Sequence, residues 1–218
     1  MLDRNVSVSL ATIHRLPIYL RILRKMQKEG NDYASSSTVA QLCNENPSVV
    51  KKDLSAVLTS EGQPKLGYSI ASLINDIESF LGYNKSKDAV VIGCGKLGQA
   101  LLGYVGFGEL GLNLVGGFDI NPSVCGTTIH GREILPMEKM KDYVQSQGIR
   151  MAILTLPKSA AQETANILID AGIKAIWNFS HKKLNVPDDV AVLDEDLATS
   201  LAILSIKLDT ILAKEGIN

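Results

Sequence analysis

Over residues 14–29, apolar side chains recur at helical spacing, with Leu16, Leu20, Leu23 and Met26 on one face. Pro17 fits such a helix in its first turn, and Gly30-Asn31 closes it. A short helix follows, with N-caps offered by Ser35-Ser36-Ser37, a Thr38-x-x-Gln41 capping box and an apolar face of Val39, Ala40 and Leu42. Pro47 suits the first position of a third helix, which the spacing carries to Leu58. That helix turns Val50, Leu54, Val57 and Leu58 inward and leaves Ser48, Val49, Lys51, Lys52 and Ser55 outside. The turn-rich run from Glu61 to Tyr68 predicts a small β-wing. A fourth helix, 71–81, carries Leu73, Ile74, Ile77, Phe80 and Leu81.

Beyond a linker at 82–87 the pattern changes. Near-continuous apolar runs at 89–93, 112–118, 151–156, 175–178 and 190–193 read as buried strands. Helical spacing occupies 97–105, 137–147 and 160–171 between them. Such alternation predicts a parallel sheet covered on both faces. The chain then runs into one long apolar-striped helix, 195–214, with Leu197, Leu201, Leu204, Leu208, Ile211 and Leu212. The expected architecture is α/β: an N-terminal winged-helix domain (1–84), a Rossmann-like parallel sheet (85–194) and a C-terminal helix (195–218).

Val90-Val91-Ile92-Gly93-Cys94-Gly95-Lys96-Leu97-Gly98 runs a strand into Gly-x-Gly-x-x-Gly. Gly93 permits a tight turn, Gly95 a close approach of a pyrophosphate, and Gly98 close packing of helix on strand. The helix start then offers N–H groups and a partial positive charge to phosphate. Asp119, 21 positions after Gly98, ends the next strand, where a carboxylate accepts from ribose hydroxyls and repels a 2′-phosphate. The combination points to NAD(H) rather than NADP(H). Thr155-Leu156-Pro157 and Asn178-Phe179-Ser180 follow two further strands, where ligands of such sheets lie; ordinary strand-to-helix turns would read the same.

In the first domain, Ser48, Lys51, Lys52 and Ser55 supply the short polar groups and cations that a DNA-reading helix needs, and Lys65 sits on the wing. A solvated helix face has the same composition. The charge balance changes little: residues 1–80 hold nine Lys+Arg against eight Asp+Glu, and the whole chain is at −1. A polybasic chain that coats nucleic acid non-specifically is thereby disfavoured. Cys43, Cys94 and Cys125 show neither zinc-ligand spacing nor a disulfide framework, and no apolar run reaches the roughly 18–20 residues of a membrane span. The expectation is a cytoplasmic protein. His14, His130 and His181 form no catalytic or metal-ligand arrangement, and no substrate domain follows the last strand, so an enzyme is not expected.

Several segments together resemble the Rex family of bacterial redox-sensing repressors. They are His14-Arg15-Leu16-Pro17-Ile18-Tyr19, Val50-Lys51-Lys52-Asp53-Leu54-Ser55, Leu66-Gly67-Tyr68, the glycine run through Leu102, and Gly117-Phe118-Asp119. Ile153-Leu154-Thr155-Leu156-Pro157, Ile176-Trp177-Asn178-Phe179 and Asp194-Glu195-Asp196-Leu197-Ala198 complete the order. The resemblance implies a homodimer that binds double-stranded operator DNA, with the last helix swapped onto the partner. It implies NAD+ compatible with DNA and NADH releasing it. It also implies a switch of Arg15, Tyr104 and Asp196 near the nicotinamide, with Arg15 and Asp196 paired in one state and parted in the other. The alternatives are an NAD(H)-dependent oxidoreductase subunit and a CoA-binding sensor. The chain departs from the family where Lys51 and Lys52 stand for the usual Arg. It departs again in the wing, Gly62-Gln63-Pro64-Lys65, and at Ser180-His181-Lys182, where the family usually has Ala-Pro-Val.

Overall fold

In the computed structural model, which describes residues 8–59, 63 and 66–215, the chain divides into two compact units between Lys85 and Ser86. Helix α1 spans Leu10–Lys28, beginning four residues before the sequence expectation. Ser9 explains the earlier start: its hydroxyl accepts from the Thr12 amide at 3.1 Å. Pro17 therefore lies in the helix interior rather than its first turn. A proline there removes one backbone bond and costs about 3 kcal/mol or more. The buried stripe of Leu16, Tyr19, Leu20, Leu23 and Met26 offsets it, each large apolar side chain contributing about 1.5–3 kcal/mol.

Strand β1 (Tyr33–Ala34) pairs antiparallel with β2 (Tyr68–Ser69), and Gln63 bridges to Gly67 at the base of the wing. Helix α2 spans Ser36–Cys43 and is capped by Ser35, whose hydroxyl accepts from the Thr38 amide at 3.0 Å. Thr38 is thus the third residue of the first turn, and the capping box expected at Thr38 and Gln41 does not form. Helix α3, Pro47–Val57, has Pro47 at its first position and Asn46 as its cap. It buries Val50, Asp53, Leu54 and Val57, while Leu58 is only half-buried beyond its end. Helix α4 spans Ile70–Leu81. Its Asp76 accepts from the Thr59 amide and hydroxyl at 2.9 and 2.7 Å, which ties the chain leaving α3 to this helix.

The second unit is built on strands β3 (Lys87–Ile92), β4 (Leu112–Asp119), β5 (Thr128–Ile129), β6 (Arg132–Pro136), β7 (Met151–Leu154), β8 (Ala175–Asn178) and β9 (Ala191–Asp194). They form one sheet in the order β5-β6-β4-β3-β7-β8-β9, parallel except for β5. Alternation along β3 sends Val90 and Ile92 to one core and Ala89 and Val91 to the other. Helices α6 (Met140–Gln147) and α7 (Lys158–Asp170) cover the first face. Helix α5 (Lys96–Leu102) and Phe107 cover the second. Two expected helices are shorter than their apolar runs. The 97–105 run ends at Gly103 and resumes as a 3-10 turn, Val105–Leu110, while Met137–Lys139 is a 3-10 lead-in to α6. The β5–β6 hairpin was not expected. Its two-residue turn, His130-Gly131, has both φ angles positive, +48° and +78°.

Helix α8, Leu197–Lys214, is the exception to burial. Leu201, Ile203, Leu204, Ile206, Leu208 and Ile211 are each at least half exposed. No helix among the described residues is long and apolar enough to cross a membrane.

Candidate functional site

Strand order reverses at β3, so the carboxyl ends of β3, β4 and β7 meet at one crevice. There the chain turns through Gly93 with φ +93°. A Cβ on Gly93 would lie 2.9 Å from the Thr155 carbonyl oxygen, and one on Gly98 only 2.1 Å from the Gly93 carbonyl oxygen. These two glycines are demanded by backbone contacts. Gly95 is different: a Cβ there meets nothing within 4 Å. Its open side lies at the start of α5, where no side chain caps the helix, so the backbone there can be approached closely.

Asp119 ends β4 beside this bend. Its Oδ2 accepts from the Cys94 amide at 2.6 Å and its Oδ1 from the Asn121 amide at 2.7 Å. Each carboxylate oxygen keeps a further lone pair for a ribose hydroxyl. Cys94 is buried; burial and then the charge of Asp119 push its thiol up to about 12. Its side chain fills the core and only its backbone faces the site. Lys96 and Leu97 are exposed on the first turn of α5.

The Thr155 hydroxyl lies 2.5 Å from the Gly93 carbonyl and 3.1 Å from that of Ile92, so it stitches β7 to the bend. Leu156 is half-buried against Gly93, and Pro157 opens α7. Asn178 and Ser180 are nearly fully buried and satisfied internally. Asn178 donates to the Lys182 carbonyl and Asp194, and accepts from the Ser180 amide and hydroxyl. Phe179 belongs to an aromatic chain: Tyr104 to Phe107 at 4.7 Å, Phe107 to Trp177 at 5.9 Å, Trp177 to Phe179 at 5.0 Å. The Trp177 indole donates to Glu195 at 2.9 Å. Tyr104 is 56% exposed, so its hydroxyl-bearing ring remains open to a partner. Asp196 caps α8, accepting from the Ala198 amide and the Thr199 hydroxyl at 2.9 and 2.8 Å. The Thr199 bond first, then the backbone amides, hold its carboxyl below the usual range. His181 Nδ1 lies 3.9 Å from it.

In the first unit, Ser48, Lys51, Lys52 and Ser55 are exposed along α3. The Ser55 hydroxyl donates back to the Lys51 carbonyl at 2.8 Å. Lys65 lies outside the described residues. Behind this face sits a group that periodicity reasoning missed. Asp53 is 3% exposed and accepts from Thr12, Arg15 and Tyr19. Arg15 forks onto it through Nε at 2.7 Å and Nη2 at 3.0 Å. Burial alone would raise the Asp53 carboxyl, but the bonds from Arg15, Thr12 and Tyr19 outweigh it and hold it below the usual carboxylate range. Burial and Asp53 together push the Tyr19 phenol well above its ordinary value.

A family model for a CoA binding domain matches residues 84–182, and one for a putative DNA-binding protein N-terminus matches residues 7–55. The redox-sensing transcriptional repressor Rex of Treponema denticola is 42% identical over 199 residues, 91% of this chain and 94% of its own. The chain belongs to the Rex family. Rex of Bacteroides fragilis is 36% identical over 91% of this chain and 90% of its own. The Rex-family repressor RSP, solved with β-NAD+ and operator DNA, is 38% identical with a TM-score of 0.88 over 97% of each chain. RSP solved with β-NADH is 37% identical with a TM-score of 0.84, over 97% of this chain and 99% of that one. The relatives are repressors, so the protein is a regulator and not the oxidoreductase subunit weighed as an alternative.

Proposed function

We propose that the protein is a homodimeric, cytoplasmic repressor that holds operator DNA and lets it go when NADH binds. One observation carries the reading furthest: a chain alike over 97% of its length is solved with NAD+ and operator DNA and also with NADH. The local geometry supports it. NAD(H) lies along the glycine bend, with its pyrophosphate at Gly95, Lys96 and Leu97, and its adenosine ribose on Asp119. Thr155, Leu156 and Pro157 wall the crevice. Asn178, Phe179 and Ser180 shape the nicotinamide end through backbone and ring surface, since the polar atoms of Asn178 and Ser180 are already used. DNA meets Ser48, Lys51, Lys52 and Ser55 on α3, with Lys65, outside the described residues, a further contact expected from the sequence. Lysine binds phosphate as a point charge and does not fork onto guanine as arginine does, so α3 here reads bases less strictly than an Arg-bearing relative.

The exposed apolar residues of α8 support the dimer. Six large aliphatic side chains left in water on one helix form the kind of patch that marks an interface. A second copy that takes up α8 covers them. Arg15, Tyr104 and Asp196 form the switch, a two-state element whose balance the nicotinamide shifts.

Fluorescence anisotropy on fragments of the source genome enriched by the protein tests this reading. NADH is expected to release the bound fragment, with NAD+ and CoA leaving it in place. Release by CoA alone, or no response to any of the three, would contradict it.

A further inference from the structure

A buried carboxylate on the DNA-facing helix invites a role beyond packing. Asp53 lies between Lys52 and Leu54, so any turn of α3 about its axis moves Asp53 and the lysines together. Its three donors sit at positions 12, 15 and 19 of α1, one stripe of that helix. No other polar contact of this kind joins α1 to α3 among the described residues. Two of the four bonds come from Arg15, which is 22% exposed, whereas Asp53 is sealed. Arg15 and Asp53 line a recess of about 350 Å³ that Ser9, Val49 and Lys52 also border. Among the described residues Arg15 bonds Asp53 through Nε and Nη2, which leaves Nη1 as a donor for a second carboxylate.

We infer that Asp53 is the positioning residue through which the state of Arg15 reaches the DNA-facing helix. With Arg15 forked onto it, Asp53 is a fully satisfied anion and α3 is pinned to α1. With Arg15 drawn towards another carboxylate, Asp53 keeps only the hydroxyls of Thr12 and Tyr19. A buried carboxylate with half its donors gone is costly, and the relief is movement of α3 towards water. Lys51 and Lys52 then leave their phosphates. This inference rests on the NADH-release reading given above.

The test is Asp53→Asn, which keeps the shape and loses the ion pair. Operator affinity with NAD+ present is expected to fall about tenfold, the scale of a lost charged hydrogen bond. NADH affinity of the DNA-free variant stays unchanged. The decisive readout is the ratio of operator affinities with NAD+ and with NADH, which shrinks to under about half its wild-type value as coupling is lost. A merely structural role lowers both affinities and leaves the ratio intact, and that result would overturn the inference. If wild-type protein shows no such ratio at all, the release reading fails first, and this inference with it. Should Asp53→Asn not fold, amide exchange on the wild type decides. NADH is expected to speed exchange in α3 at Lys51–Leu54 and not in α4, and equal exchange with and without NADH would overturn the inference.

Discussion

At the glycine bend the chain clears side chains away. Backbone packs on backbone at Gly93 and Gly98, and the one glycine with space around it, Gly95, faces the crevice. At α3 the chain does the reverse and sinks a carboxylate behind the exposed face that we propose meets DNA, with three side chains of α1 closed around it. The first region is shaped by what is missing, with backbone contacts fixing Gly93 and Gly98 and open space left at Gly95. The second is held by groups that have alternatives, because an arginine can change partners. A rigid ligand site and a re-pairable anchor are what a sensor needs at its two ends.

The sharpest break of that contrast compares two alanines. Gly98→Ala forces a methyl into the Gly93 carbonyl and is expected to destabilise the second unit by about 3 kcal/mol or more and abolish NADH binding. Gly95→Ala leaves stability within about 0.5–1 kcal/mol and lowers only NADH affinity. Chemical denaturation and calorimetry read both. Equal destabilisation by the two would remove the distinction between structural and ligand-facing glycines.

Next in size is Asp53→Ala, which strands Arg15 and is expected to cost the first unit about 3 kcal/mol. The carboxyl's value is depressed on folding, so its contribution is present above the unfolded value of about 3.9 and is lost as pH falls from there through the folded value. Wild-type unfolding midpoints therefore drop on acidification in that window, and the variant's drop less. Parallel curves for the two proteins would show that Asp53 carries no linked proton.

Leu204→Glu on α8 places a charge where an aliphatic contact is worth about 2 kcal/mol per protomer. Sedimentation is expected to show monomers and anisotropy a loss of operator binding, while each unit stays folded. A variant that remains dimeric would move the interface off α8. Asp119→Ala removes the ribose acceptor and two backbone bonds at the bend, and NADH affinity is expected to fall about tenfold, by calorimetry. Smallest are Lys51→Ala and Lys52→Ala, each lowering the salt slope of operator binding by about one unit. An unchanged slope would take that lysine off the phosphates.

Much of this was readable beforehand, and the failures have physical causes. The glycine bend, Asp119 and strands β3, β4, β7, β8 and β9 announced themselves through apolar runs and glycine spacing. The β5–β6 hairpin did not. Its turn uses His130 in a left-handed conformation where Asn or Asp is the usual signal, β5 has only two residues, and β6 opens on the charged pair Arg132-Glu133 instead of an apolar run. Three serines in a row, Ser35, Ser36 and Ser37, offer the same capping chemistry, and the helix takes the first, with Val39 and Ala40 buried behind it. Asp53 was passed over as one charge among Lys51 and Lys52. Yet positions 50, 53, 54 and 57 share the inward stripe, and an acid there requires donors on the facing helix, which Thr12, Arg15 and Tyr19 supply. Thr155, Asn178 and Ser180 were legible as positions at or just past the carboxyl ends of two strands, but not that their polar atoms are spent on the scaffold.

Reciprocity offers the most direct measurement of the central claim. NADH affinity is determined by calorimetry on the free protein and on the protein saturated with operator. The account predicts that operator weakens NADH by the same factor by which NADH weakens operator. Identical NADH affinity in the two samples would contradict it.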